Sequence, residues 1–289
     1  MSTFAAATGI GSWPGTSARE AAEVVVGELH RMPHLVELPA RGVGADMIGR
    51  AGALLVDIAI DTVPRGYRIV ARPGAVSRRA ASLLREDIDA LEEAWEAAGP
   101  GPADRVVKVQ APGTVTLAAH LELGNGHRAI TDAGALRDLA ESLTEGMALH
   151  AAEVGRRLGT EVVVQFDEPA LPAALAGRLT GVTSMTPVHP VDESVAIELL
   201  DRCAGAGPIA VHCCAADIPW KVLQRSSIQA VAVDVSMLTP ADLDGIGEFV
   251  ESGRTVQLGV VPTTAPAKPP AVEEVAKAAA AVTDRLGFP

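Results

Sequence analysis

Along the chain, short unbroken apolar runs alternate with longer stretches whose apolar positions recur every three or four residues. The runs are Ala5–Gly11, Leu35–Pro39, Val106–Gln110, Val162–Phe166, Ile209–Cys213, Val231–Val235 and Val256–Val261. Strands covered on both faces read this way, because neither face meets water. The stretches between them predict helices. Ser17–His30 opens with a Ser cap and Glu20 three residues on, a capping box. Ser77–Ala98 is rich in Leu, Ala and Glu, and Asp132–Leu158 is followed by Gly159, where a helix-ending glycine belongs. Val191–Ala206, Pro240–Ser252 and Pro270–Leu286 complete the set.

Strands alternating with helices predict an α/β fold with a parallel sheet, of the TIM (β/α)8 barrel type. Such a barrel closes with eight strands, and the runs supply seven. The segment Asp284–Pro289 stands where an eighth should begin, so the eighth strand is expected to be missing from this chain. Asp61–Val70, with its Pro64-Arg65-Gly66 turn, reads as a hairpin on the rim. Gly99-Pro100-Gly101-Pro102 reads as a connection into the third strand, which leaves residues 1–289 as one barrel domain.

Composition narrows the function. Hydrophobic residues make up 48% of 289 and aromatics 3%, so the core must be built from Ala, Val, Leu and Ile. With 24 basic and 36 acidic residues the net charge is −12. No basic stripe interleaved with aromatics is present, which argues against a nucleic-acid partner. Mean hydropathy is +0.24, yet the longest apolar runs fall short of the ~20 residues a membrane helix needs. Residues 1–11 lack the basic segment of a signal peptide. Three cysteines, Cys203, Cys213 and Cys214, make a poor disulfide framework and suit a reducing, cytoplasmic setting.

In barrels of this type the chemistry sits at the C-terminal ends of the strands. Those ends deliver Gly11-Ser12-Trp13-Pro14, Glu37, Gln110 to Gly113, Asp167-Glu168-Pro169, His212-Cys213-Cys214, Asp234 and Pro262-Thr263-Thr264. Alternate strand residues share a side, so His212 and Cys214 can share one metal, and imidazole with thiolate favours zinc. A buried cysteine pair beside a structural histidine is the other reading. Asp234 can add a carboxylate toward the three ligands of a catalytic zinc, or simply cap a helix. Asp167 and Glu168 can hold a substrate ammonium or act as acid and base, or belong to a solvated loop. Glu37 can do similar work or form a rim salt bridge. The turn around Ser12 offers backbone amides to a carboxylate. His120, His127, His150 and His189 have no sequence partners and read as structural or exposed.

Together these segments resemble the catalytic barrel of cobalamin-independent methionine synthases. The resemblance runs through Ile10 to Pro14, Glu37 with Asp46-Met47, Lys108 to Thr116 around Pro112-Gly113, Gln165 to Leu171, and Val211 to Cys214. It covers most of the chain in order, and its most specific parts are Asp167-Glu168-Pro169-Ala170-Leu171 and His212-Cys213-Cys214. The resemblance implies that His212 and Cys214 bind zinc. A Glu one strand later would supply a third ligand and a Cys in the last strand a fourth. It implies that Asp167 grips the amino group of homocysteine, that Ser12 meets its carboxylate, and that Glu37 assists on the amino side. The chain departs from the pattern in having Asp234 for the Glu, no final cysteine, and no preceding second barrel. It therefore resembles the short single-barrel relatives. The expected activity is zinc-dependent transfer of a methyl group from a folate or corrinoid to homocysteine or a similar small thiol. The rivals are a related alkyl-thiol transferase, a uroporphyrinogen-decarboxylase-like enzyme, and a degenerate barrel that only binds or regulates.

Overall fold

The computed structural model describes residues 3–182, 186–262 and 270–287. In chain order its helices and strands are α1 (Ala18–Glu28), α2 (Met47–Ala51), β1 (Ala59–Val63), β2 (Gly66–Val70), α3 (Ala75–Ala98), β3 (Val107–Pro112), α4 (Thr114–His120), β4 (Leu121–Glu122), α5 (Ala133–Leu158), β5 (Val162–Asp167), α6 (Leu171–Leu175), α7 (Glu193–Cys203), β6 (Ile209–Cys213), α8 (Trp220–Arg225), β7 (Ala230–Asp234), α9 (Pro240–Glu251), β8 (Thr255–Gly259) and α10 (Val272–Leu286). The expected Thr263 and Thr264 at the end of the last strand, and Phe288 and Pro289, lie outside the described residues.

Five strands form a parallel sheet in the order β3-β5-β6-β7-β8. Helices return the chain between them, as parallel pairing requires. Of the predicted caps, Gly159 ends α5 in the left-handed region at φ 62° and Ser17 accepts from the Glu20 amide at the start of α1, one half of the expected capping box; Asp132 also caps α5 by accepting from Ala135. The rim hairpin is present as β1 paired antiparallel with β2, and β4 adds to β2 in parallel.

Two of the predicted strands are not regular. The segment at Leu35–Pro39 continues the sheet past β3 through isolated parallel bridges, His34 with Lys108 and Ser12 with Glu37. Its backbone pairs with both sides: Leu35 donates to the Lys108 carbonyl, Glu37 to Gly11, and Trp13 to Glu37. Pro33 and Pro39 bracket it and lack amide donors, which shortens the ladder. The run Ala5–Gly11 forms no strand. Side chains take several of its carbonyls, Ala5 by Arg31, Gly9 by Lys108 (2.5 Å) and Ile10 by Gln165, while Gly11 accepts from the Glu37 amide; just before the run, Phe4 accepts from Gln257. Gly11 has φ 125°, and a Cβ there would lie 2.8 Å from the Gln110 side chain, so only glycine fits. Among the described residues the sheet does not close into a full barrel; the one strand that pairs with β8 is β7.

Alternation divides each strand between two environments. One face carries Val107, Val109, Val164, Phe166, Val211, Val231 and Val233 into the main core with the helices. The other carries a small apolar plug, Phe4, Met32, Val106, Val163, Ala210 and Ala230. Two residues further along the same face come Lys108, Gln165 and His212. The sheet interior is therefore apolar at its floor and polar toward the C-terminal ends of the strands.

Candidate active site

The parallel register sets the polar groups side by side. Asp167 of β5 is level with Pro112 of β3 and with His212 of β6, and Asp234 of β7 is level with Gly259 of β8. His212 Nδ1 lies 2.7 Å from Asp167 Oδ1, with both side chains about nine-tenths buried. Asp167 Oδ1 also accepts from Gln165 Nε2 at 2.8 Å. Gln165 Oε1 in turn accepts from the buried Lys108 ammonium. Burial pulls the His212 imidazolium down, but its hydrogen bonds with Asp167 and Cys214 outweigh this and push its pKa up to about 9. Burial brings Lys108 down to about 8, against the attraction of Asp167 and Glu37.

His212 and Cys214 line one cavity of about 120 Å³, together with Thr8, Gly9, Ile10, Gln165, Asp234 and the end of β8. Cys214 is exposed while Cys213, one residue away, is buried, so the H-x-C spacing does put one thiol and the imidazole on the same side. Asp234 reaches the same cavity, but its Oδ1 accepts from the Ser236 amide (2.8 Å) and hydroxyl (2.7 Å). Among the described residues no three His, Cys, Asp or Glu side chains are arranged to hold a metal ion. His212 and Cys214 are thus two suitable donors in place. The donor set reaches three only if Asp234 turns from Ser236.

Glu37 is buried outside the lining of this cavity, near enough to Asp167 and Lys108 to feel their charges. It accepts from Gln110 Nε2 at 3.2 Å and stands 3.5 Å from Arg50. Burial raises its pKa to about 7 despite the Arg50 charge. Arg50 and Arg41 each reach Asp87 at 2.6 Å. Ser12 is exposed at the rim, where its backbone bridges to Glu37. Asp46 caps α2 by accepting from Gly49, and Met47 is partly buried.

Asp167 and Glu168 part company. Glu168 turns away from the cavity and accepts from the amides of Val115 (2.9 Å) and Thr116 (2.8 Å) and from the Thr116 hydroxyl (2.7 Å) at the start of α4. A Cβ on Gly113 would lie 2.2 Å from its carboxylate, so that glycine leaves the space Glu168 occupies. Burial raises the Glu168 pKa to about 7 against these hydrogen bonds. Lys108 and Gln165 stand on the resembling segments, but nothing in the residue reading gave them a task. Their signal was there: two polar residues at inward positions of otherwise apolar strands.

A larger, more open groove of about 440 Å³ runs past His127, Arg128 and His189. It contains neither the His–Cys pair nor Asp167.

A family model, the catalytic domain of the cobalamin-independent synthases, matches residues 4–288. The chain belongs to this family. No protein of curated function matches the sequence. Among solved structures, one similar fold is a putative vitamin-B12 independent methionine synthase from Listeria monocytogenes, 12% identical, covering 92% of this chain and 76% of that one, with a TM-score of 0.52. Others are a B12-independent methionine synthase from Shewanella sp. W3-18-1, in complex with selenomethionine (18% identity, 78% of this chain, TM-score 0.47), and a methyltransferase from Methanosarcina mazei (15%, 93% of this chain and 84% of that one, TM-score 0.47). The chain spans 63% of the length of the Shewanella protein. At 12% identity the likeness to the Listeria protein speaks for the fold alone. No helix among the described residues is long and apolar enough to cross a membrane.

Proposed function

We propose that this chain, as a single barrel domain in the cytoplasm, transfers a methyl group to the sulfur of homocysteine or a similar small thiol. The observation that carries the reading is the pairing of His212 and Cys214 on one cavity at the strand ends, with Asp167 behind the imidazole. That donor set suits zinc, with Asp234 as the third ligand once its carboxylate leaves Ser236. When bound, zinc supplies positive charge that lowers a thiol's pKa from its usual ~8.5 and raises the thiolate fraction at neutral pH.

The chain's own residues do the positioning. Asp167 keeps one carboxylate oxygen on His212 and has a second for the substrate ammonium. Glu37 lies on the same interior side, and the Ser12 turn offers amides to the substrate carboxylate. In the transfer the thiol releases its proton to water. Its sulfur forms the bond to the methyl carbon, and the electron pair of the broken bond leaves with the donor, a folate or a corrinoid. Holding the two reactants in line lowers the barrier by up to ~7–11 kcal/mol at best.

A second reading, a barrel that binds without catalysing, is favoured by one observation: the Asp234 carboxylate is already engaged as a cap. Methyl transfer to homocysteine from methyl-folate and methyl-corrinoid donors, assayed with the wild-type chain and with Cys214→Ser, separates the two. The methyltransferase reading expects turnover with one donor and loss of at least ~100-fold in the variant. No turnover with either donor, or full activity in the variant, contradicts it.

A further inference from the structure

We infer that Asp167 is a positioning residue for His212, and that Lys108 fixes its alignment through Gln165. The inference deepens the proposed function by assigning a task to three residues behind the His–Cys pair, but its geometry stands without any metal. An ammonium has only donors and an amide has one end of each kind, so hydrogen-bond polarity can be followed along the chain of contacts. Lys108 is buried and donates to the Gly9 carbonyl at 2.5 Å and to Gln165 Oε1. This sets the direction of the Gln165 amide. Its Nε2 must face the other way, where it donates to the Ile10 carbonyl (2.8 Å) and to Asp167 Oδ1 (2.8 Å).

Asp167 Oδ1 is thereby an acceptor on both sides. The ring nitrogen 2.7 Å away must bring the hydrogen, so His212 carries a proton on Nδ1. Nε2 is then the nitrogen turned to the cavity shared with Cys214, and it serves as a ligand once it has given up any proton of its own. A histidine whose other nitrogen is held by a carboxylate is fixed in ring orientation and tautomer, and is a stronger ligand for it. Gln165 also lines the cavity and, through Ile10, holds the segment that forms the facing wall. One amide thus sets both the imidazole and the wall opposite it.

The test uses metal-free chain labelled with 15N-histidine. The expected result is a His212 ring Nδ1–H resonance protected from exchange, assigned by its loss in His212→Gln. It should survive in Asp167→Asn, whose carbonyl still accepts, and disappear in Asp167→Ala and weaken in Lys108→Met. A wild-type His212 ring protonated on Nε2 alone overturns the inference without any variant. So does an unchanged Nδ1–H in a folded Asp167→Ala. Zinc affinity, by competition with a chromophoric chelator, is the second readout: Asp167→Ala should bind about 10–100-fold more weakly, with Asp167→Asn closer to wild type. If the wild-type chain binds no zinc, the zinc reading fails, and the resonance still decides the role of Asp167.

Discussion

The two flanks of the cavity that His212 and Cys214 line are built differently. On one side β3 is buried at every position and β5 at all but its first. Their C-terminal ends are locked by Glu168 on α4, by the Gly113 amide on the Asp167 carbonyl, and by the Lys108–Gln165–Asp167–His212 contacts. On the other side β8 is only partly buried along its length, and α10 buries a single residue, Val282. The segment facing β8, residues 4–10, is held by side chains from β3, β5 and β8 in place of a backbone ladder. The difference teaches where rigidity is placed. The groups that orient His212 stand on the packed flank, while the end of β8, which also lines the cavity, belongs to the loose one. Segments with few buried apolar contacts open at low cost, and binding sites draw on such segments.

The comparison can be broken first by core truncation. Phe166→Ala on the packed flank removes a ring with no solvent exposure and should cost about 3–5 kcal/mol in denaturant unfolding. A loss below about 1 kcal/mol would show that this flank is not packed as described.

Next comes pH. Glu37 and Glu168 have folded pKa values near 7, above their unfolded values near 4.5. A carboxyl raised on folding favours the protonated form. Its contribution is fully present below about 4.5 and is lost as pH rises through about 7. Stability from these two groups should therefore fall across that window, on the order of 1–3 kcal/mol. Glu168→Gln, which cannot titrate, should flatten part of the slope; an unchanged slope would mean that Glu168 is ionised throughout.

The smallest effect is expected on the loose flank. Val256→Ala in β8 should cost about 1 kcal/mol or less, because the side chain is only partly covered. A cost equal to that of Phe166→Ala would erase the distinction between the flanks.

Much of this was legible in the sequence. The hydrophobic periods gave the helices and the parallel strands from β3 onward, because a buried parallel strand needs a continuous apolar run and a surface helix needs a stripe. The H-x-C spacing placed His212 and Cys214 together for the same reason. What stayed hidden depended on contacts between distant segments. Ala5–Gly11 is apolar enough for a strand, yet its Gly9 and Ile10 carbonyls are claimed by Lys108 and Gln165, and no local pattern records that. Asp167 and Glu168 looked equivalent as neighbours at a strand end. Opposite orientation sent one to His212 and the other to the α4 amides. Asp234 reached the expected rim, but the hydroxyl two residues along engages its carboxylate.

The most direct measurement is the zinc content of chain purified without chelator, compared with Cys214→Ser. The account predicts about one zinc per wild-type chain and almost none in the variant. A wild-type chain without zinc even after incubation with the ion, or a variant that keeps it, would contradict a site built on His212 and Cys214.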